Sequence, residues 1–212
     1  MPSLWPAMIA TLKSQLPTAT DTTTLANIYA TEYSNATATS AVVISSSILT
    51  APITSSIIQQ GFKATFDILA VLKLELLPNY KDVEVPDDKK AKQDEARGII
   101  EAAFLPASSS FITAWTAAIF NPAIPMPGYI SPTLGYTIIF PGEPTILAKD
   151  LAKAFFIAQT ELDPNAAYIA HSTSLVEAYS KHLLTITGLY NGLIPGVPSP
   201  IPGPPIPWVG VA

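Results

Sequence analysis

The chain has 212 residues, of which 49% are hydrophobic, with 11 basic and 16 acidic side chains, 21 prolines and no cysteine. That length suits one good-sized domain or two small ones. Lack of cysteine excludes disulfide scaffolds, thiolate metal sites, iron–sulfur clusters and cysteine nucleophiles, and a formal net charge of −5 argues against nucleic-acid binding, which needs a basic face.

The first residues, Met1 to Pro6, lack a basic region followed by an unbroken apolar run, so no secretory signal is expected. Leu4, Met8, Ile9, Leu12 and Leu16 have helical spacing, which predicts a helix from an Ser3 cap to a stop at Pro17. Asp21 or Thr22 caps a second helix through Leu25, Ile28, Tyr29 and Tyr33. It is expected to run on into Ala41–Leu49 until Pro52 breaks it. Ile57, Ile58, Phe62, Phe66, Leu69, Leu72 and Leu76 lie on one broad face of a third helix, Ile53 to Leu77. Ala38 to Ile58 is the most apolar stretch, but Pro52 and its many hydroxyls make it a buried or partner-facing helix pair, not a membrane span.

Asn79 to Pro86 reads as a polar turn. Asp87 and Asp88 then cap a charged helix reaching Leu105, where the acids complement the helix dipole. Ser108 or Ser109 caps an apolar helix over Phe111–Phe120, expected to be buried on all sides. From Asn121 to Pro144 six prolines punctuate the chain, and only Leu134–Phe140 could pair as a strand. So long a loop is unusual without a role; its expected role is to lie extended on a neighbour. Helix resumes over Glu143–Thr160. Asp163-Pro164 is a specific start signal for a last helix running to about Leu189, with Ile169, Leu175, Val176, Leu183, Leu184 and Ile186 as its core and Gly188 and Gly192 as caps. Pro195 to Trp208 is half proline and carries no charge, the composition of a polyproline II arm that seeks a groove.

Charge is unevenly spread. Twelve charged residues fall within Lys81–Glu101, whereas Tyr33–Phe62, Ala102–Gly142 and His182–Ala212 have none. Charge depletion with an aromatic and apolar surplus is the composition of an interface core.

Chemical motifs are scarce. His171, Ser174 and Glu177 stand three residues apart but would point outward in parallel from one helix, so they read as an ordinary polar face. His171 and His182 are about 16 Å apart along that helix, too far to share a metal. The pairs Asp87-Asp88 and Asp94-Glu95 interleave with Lys89, Lys90, Lys92 and Arg97, as on a solvated helix. No phosphate loop, nucleophile elbow or zinc motif occurs. The expectation is no enzyme, no cofactor and no metal.

The closing run from Gly192-Leu193-Ile194-Pro195-Gly196-Val197-Pro198 to Pro204-Pro205-Ile206-Pro207-Trp208, after uncharged Ser/Thr-rich helices, resembles neck, tail and baseplate subunits of tailed, contractile bacteriophages. The resemblance covers about the last 25 residues and transfers no site residues. It implies a non-enzymatic protein present in many symmetric copies and located in the virion; a cytoplasmic assembly is the alternative location. The expected fold is mainly α, a bundle of six to seven helices with an extended Pro-rich central loop and a Pro-rich C-terminal arm. The expected divisions are a helical region at 1–120, an arm at 121–144, a helical pair at 145–192 and an arm at 193–212. The expected partners are other structural subunits and copies of itself, met through Tyr129, Tyr136, Phe140, Ile201, Ile206 and Trp208, without nucleic acid and with membrane contact disfavoured. The rival function is a membrane-interacting or pore-forming protein that uses the uncharged helices of Thr37–Leu77.

Overall fold

A computed structural model describes residues 4–45, 47–81, 86–122 and 124–212. The fold is mainly α. Among these residues are α1 (Trp5–Gln15), α2 (Thr22–Thr37), α3 (Ser55–Val71), α4 (Asp87–Ala103), α5 (Leu105–Thr116), α6 (Pro144–Phe156) and α7 (Pro164–Thr185). The expected cap at Ser3 and the centre of the expected turn, 82–85, lie outside the described residues.

Local chemistry accounts for several boundaries. Asp21 accepts from the Thr24 amide at 2.7 Å and starts α2. Asp163 accepts from the amides of Asn165 and Ala166 at 3.1 and 3.3 Å, with Pro164 in the first turn of α7. Each contact satisfies amides that have no partner inside the helix.

Aromatic rings fill the helical core. Tyr33 of α2 is fully buried; its ring centroid lies 4.5 Å from Phe111 and 4.7 Å from Tyr179, both edge-on. Its hydroxyl accepts from the Trp115 indole N–H at 2.7 Å. Tyr29, Phe62, Phe66, Phe104 and Phe155 extend the cluster. Such edge-to-face pairs add about 0.5–1.5 kcal/mol each beyond area burial.

A six-stranded antiparallel sheet, where sequence reading expected one strand, is the main departure. Its members are β1 (Ser47–Leu49), β2 (Ile119–Pro122), β3 (Ser131–Phe140), β4 (Thr187–Ile194), β5 (Ile201–Pro202) and β6 (Ile206–Val209). The order is β1-β2-β3-β4, with β5 and β6 both on the far side of β4. Beyond β6 the chain bonds to residues 41–43: Ala41 N–H to Ala212 at 2.7 Å, Ala212 N–H to Ala41 at 2.7 Å and Val43 N–H to Gly210 at 3.1 Å. Through this bridge the C-terminal end of the chain meets residues that precede β1.

Several expectations are corrected by this sheet. The second helix stops at Thr37; residues 41–43 and β1 are extended, so Ala38–Ile58 is not a helix pair and Thr37–Leu77 holds one helix, α3. Thr and Val crowd the helical turn but suit a pleated strand. The third helix spans Ser55–Val71, not Ile53–Leu77, and α5 begins at Leu105 with Thr113 and Thr116 exposed. The last helix ends at Thr185, not Leu189. Gly188 and Gly192 lie inside β4, and Ile169 and Leu184 are exposed. Both Pro-rich segments lie on this chain's own sheet, as β3 and as β5 and β6. Prolines sit in the short outer strands β5 and β6, where few ladder donors are required. Trp115 stacks on Phe120 of β2 at 6.2 Å and joins the helical core to the sheet, so one continuous set of buried residues runs from Trp5 to Val211 across the expected divisions.

Candidate interaction surface

Alternation along β4 separates two faces. Gly188, Tyr190 and Gly192 are buried, whereas Thr187, Leu189, Asn191 and Leu193 are half-buried. On the buried face Trp208 lies 6.2 Å from Phe120 and 6.1 Å from Tyr136, and Tyr136 lies 5.0 Å from Tyr190, measured between ring centroids. Gly188 makes this packing possible: a Cβ there would overlap both the carbonyl oxygen of Thr137 and the Trp208 indole.

The outer face is a different surface. One cross-strand row runs Ile119, Thr137, Leu189, Pro207; the next runs Phe140, Thr187, Val209. Ile119, Phe140 and Val209 expose 44%, 42% and 59% of their area, and Ile139, Val43 and Ile44 are exposed nearby. Among the described residues no strand carries an Asp, Glu, Lys or Arg. The ion pairs among the described residues, such as Lys81–Glu161 at 2.6 Å and Lys181–Asp150 at 2.7 Å, belong to the helices and their connections. The molecule therefore has a charged helical pole and a charge-free sheet pole. Contiguous apolar surface of this kind marks interaction sites.

The six residues expected to meet partners divide between the two faces. Tyr136 and Trp208, at 0% and 2% exposure, are buried within this chain. Ile206 is half-buried beside Tyr190. Tyr129 packs edge-on against Tyr190 at 5.1 Å, and its hydroxyl donates to the Pro204 carbonyl, so it clamps the C-terminal segment internally. Phe140 and Ile201 are exposed. Sequence reading missed Ile119, Ile139 and Leu189. The alternating pattern of Thr187–Ile194 was the available signal, hidden by reading its glycines as helix caps.

The histidines are structural. His171 Nδ1 lies 2.8 Å from the Ala154 carbonyl and so carries the proton; Nε2 accepts from the Tyr29 hydroxyl at 2.9 Å. Ser174 is buried and Glu177 exposed, so the three do not converge. His182 donates from Nε2 to the Pro141 carbonyl at 2.9 Å. Gly142 passes close over its ring with φ +108°, a conformation that favours glycine. Burial pushes His182 down to about 4, with the Pro141 hydrogen bond opposing, and burial likewise lowers His171. Both are neutral in the fold at neutral pH. An unfolded histidine titrates near 6.5, so between about 6.5 and 4 the unfolded chain binds more protons and stability falls on acidification. The slope is at most about 1.4 kcal/mol per pH unit for each group. Urea unfolding is expected to show a lower midpoint at pH 5.5 than at 7.5, with a shallower dependence in His182→Gln; an unchanged midpoint would contradict this.

No group of three or more metal-ligating side chains occurs among the described residues. A cleft of about 390 Å³ beside Lys73, Glu75, Lys92 and Glu95 is crossed by the Lys92–Glu75 ion pair at 2.9 Å. The acidic pairs Asp87-Asp88 and Asp94-Glu95 are solvated on α4. Among the described residues no helix is long and apolar enough to cross a membrane. Comparison with family models, curated proteins and solved structures finds no match.

Proposed function

We propose that this chain is a non-enzymatic structural subunit of a virion, in its tail or neck region, or of a similar multi-subunit assembly. The charge-free outer face of the sheet carries this reading. An acidic protein meets its neighbours with least electrostatic cost where it has no charge to desolvate, and exposed Ile119, Phe140 and Val209 supply apolar contact. The Pro-rich segments frame that face and hold the subunit to its neighbours.

Lysine placed on the outer face tests the reading. Ile119→Lys with Val209→Lys leaves the core untouched and is expected to preserve the circular dichroism spectrum while lowering the sedimenting mass toward 22.5 kDa. Two buried, unpaired ammonium groups at an interface cost several kcal/mol, enough for a loss of at least about 100-fold in association. A chain that stays monomeric at high concentration and co-purifies with no structural protein overturns the proposal. Flotation with neutral lipid vesicles, lost in the same variant, supports the membrane rival instead.

A further inference from the structure

We propose that residues 206–212 are an exchangeable strand, and that in the assembly the slot they occupy is filled by the same strand of a second copy of this chain. This deepens the assembly reading and rests on it.

The slot is built around this strand. Residues 206–209 pair with β4, and residues 210–212 pair with residues 41–43. Withdrawing 206–212 leaves β4 and residues 41–43 without these partners and opens a space the size of an indole, lined by Phe120, Tyr136 and Gly188. Backbone pairing supplies affinity in such strand addition, and a side-chain socket supplies specificity. The socket fits Trp208, so the partner that fits the slot best is another copy of 206–212.

The hinge is weakly held in comparison. Residues 195–205 fold back through the two-residue β5, the Gly203 N–H bond to Gly192 at 2.9 Å and the Tyr129 hydroxyl bond to Pro204. Val197 is 99% exposed and Ile201 49%. Pro195, Pro198, Pro200, Pro202, Pro204 and Pro205 each fix φ and bias the preceding residue toward extended backbone. Extended, eleven residues reach about 34 Å at 3.1 Å per residue, enough to carry the strand to an adjacent subunit. Exchange preserves every contact of 206–212 and sacrifices only the few that fold the hinge back, the balance that favours swapping. Strand, hinge and slot edges carry no charge, so two copies at −5 each meet through neutral parts.

The natural chain has no cysteine, and Thr187 and Val209 face each other across β4 and β6. Directly opposed antiparallel residues have Cα atoms about 4.5–5.5 Å apart, within disulfide reach. Thr187→Cys with Val209→Cys in the full chain, refolded and oxidised at about 1 and 100 μM, is expected to shift from intrachain bonds to covalent multiples as concentration rises. Adding Pro198→Gly, Pro200→Ser, Pro204→Gly and Pro205→Ser is expected to lower the interchain fraction about tenfold. Refolding two mass-tagged forms of the cysteine-free chain together is expected to yield hybrids that persist on dilution. Associated material that carries only intrachain bonds, or tagged forms that associate but separate freely on dilution, overturns strand exchange and leaves the assembly reading standing. A chain that never associates overturns both.

Discussion

Trp208→Ala is expected to be among the most destabilising single substitutions in this protein, at about 3–5 kcal/mol, the range for truncating a fully buried tryptophan. The side chain is 2% exposed and touches rings from β2 and β3 as well as the backbone of β4. Neighbours cannot close over the space, because Phe120, Tyr136 and Tyr190 are each fixed to a strand. Domains are stable by about 5–15 kcal/mol, so the variant is expected to retain its helices while the sheet pole loosens. Far-UV circular dichroism near that of the natural chain, with lost near-UV aromatic signal and rapid hydrogen exchange in β4, is the expected signature. A urea midpoint within error of the natural protein's would show that Trp208 is not the keystone of the sheet.

Gly188→Ala acts on the same joint with the opposite sign of volume. The added methyl meets the Thr137 carbonyl, which is backbone, and the indole of Trp208, which is held by its own ring contacts. Neither can retreat without separating β3 from β4 or β6 from β4. Overpacking costs about 1–3 kcal/mol where side chains can shift; here the cost is expected at or above the top of that range, read from the urea midpoint. Combining the two substitutions separates the causes. Trp208→Ala relieves the indole clash but not the carbonyl clash, so the double variant is expected to be less unstable than the sum of its parts yet less stable than Trp208→Ala alone.

The helical half was largely legible in the sequence, since its signals are local. Asp21 and Asp163-Pro164 mark helix starts by their own side-chain geometry, and Ile58, Phe62 and Phe66 mark a core face by spacing. The sheet was not legible, because its causes are remote. Nothing near Val42 indicates pairing with Val211, and nothing near Gly188 indicates that its missing side chain makes room for Trp208. Proline spacing suggested arms seeking grooves. The C-terminal segment pairs within this chain, with β4 over residues 206–209 and with residues 41–43 over residues 210–212. The charge-free tracts were visible at once, but only the ladder showed that all three supply strands of one sheet.

The sheet also sets the order in which the chain can fold. Each helix forms through hydrogen bonds between residues close in sequence, whereas the bridge from Val42 to Val211 joins residues most of the chain apart. Contacts of such separation form late, since loop-closure entropy must be overcome before they add any stability. Until residues 206–212 arrive, β4 and residues 41–43 present bare, neutral edges of the kind that aggregate. Folding is therefore expected in two kinetic phases, a fast one in helical signal and a slower one in Trp208 fluorescence, with aggregation during the interval rising with chain concentration.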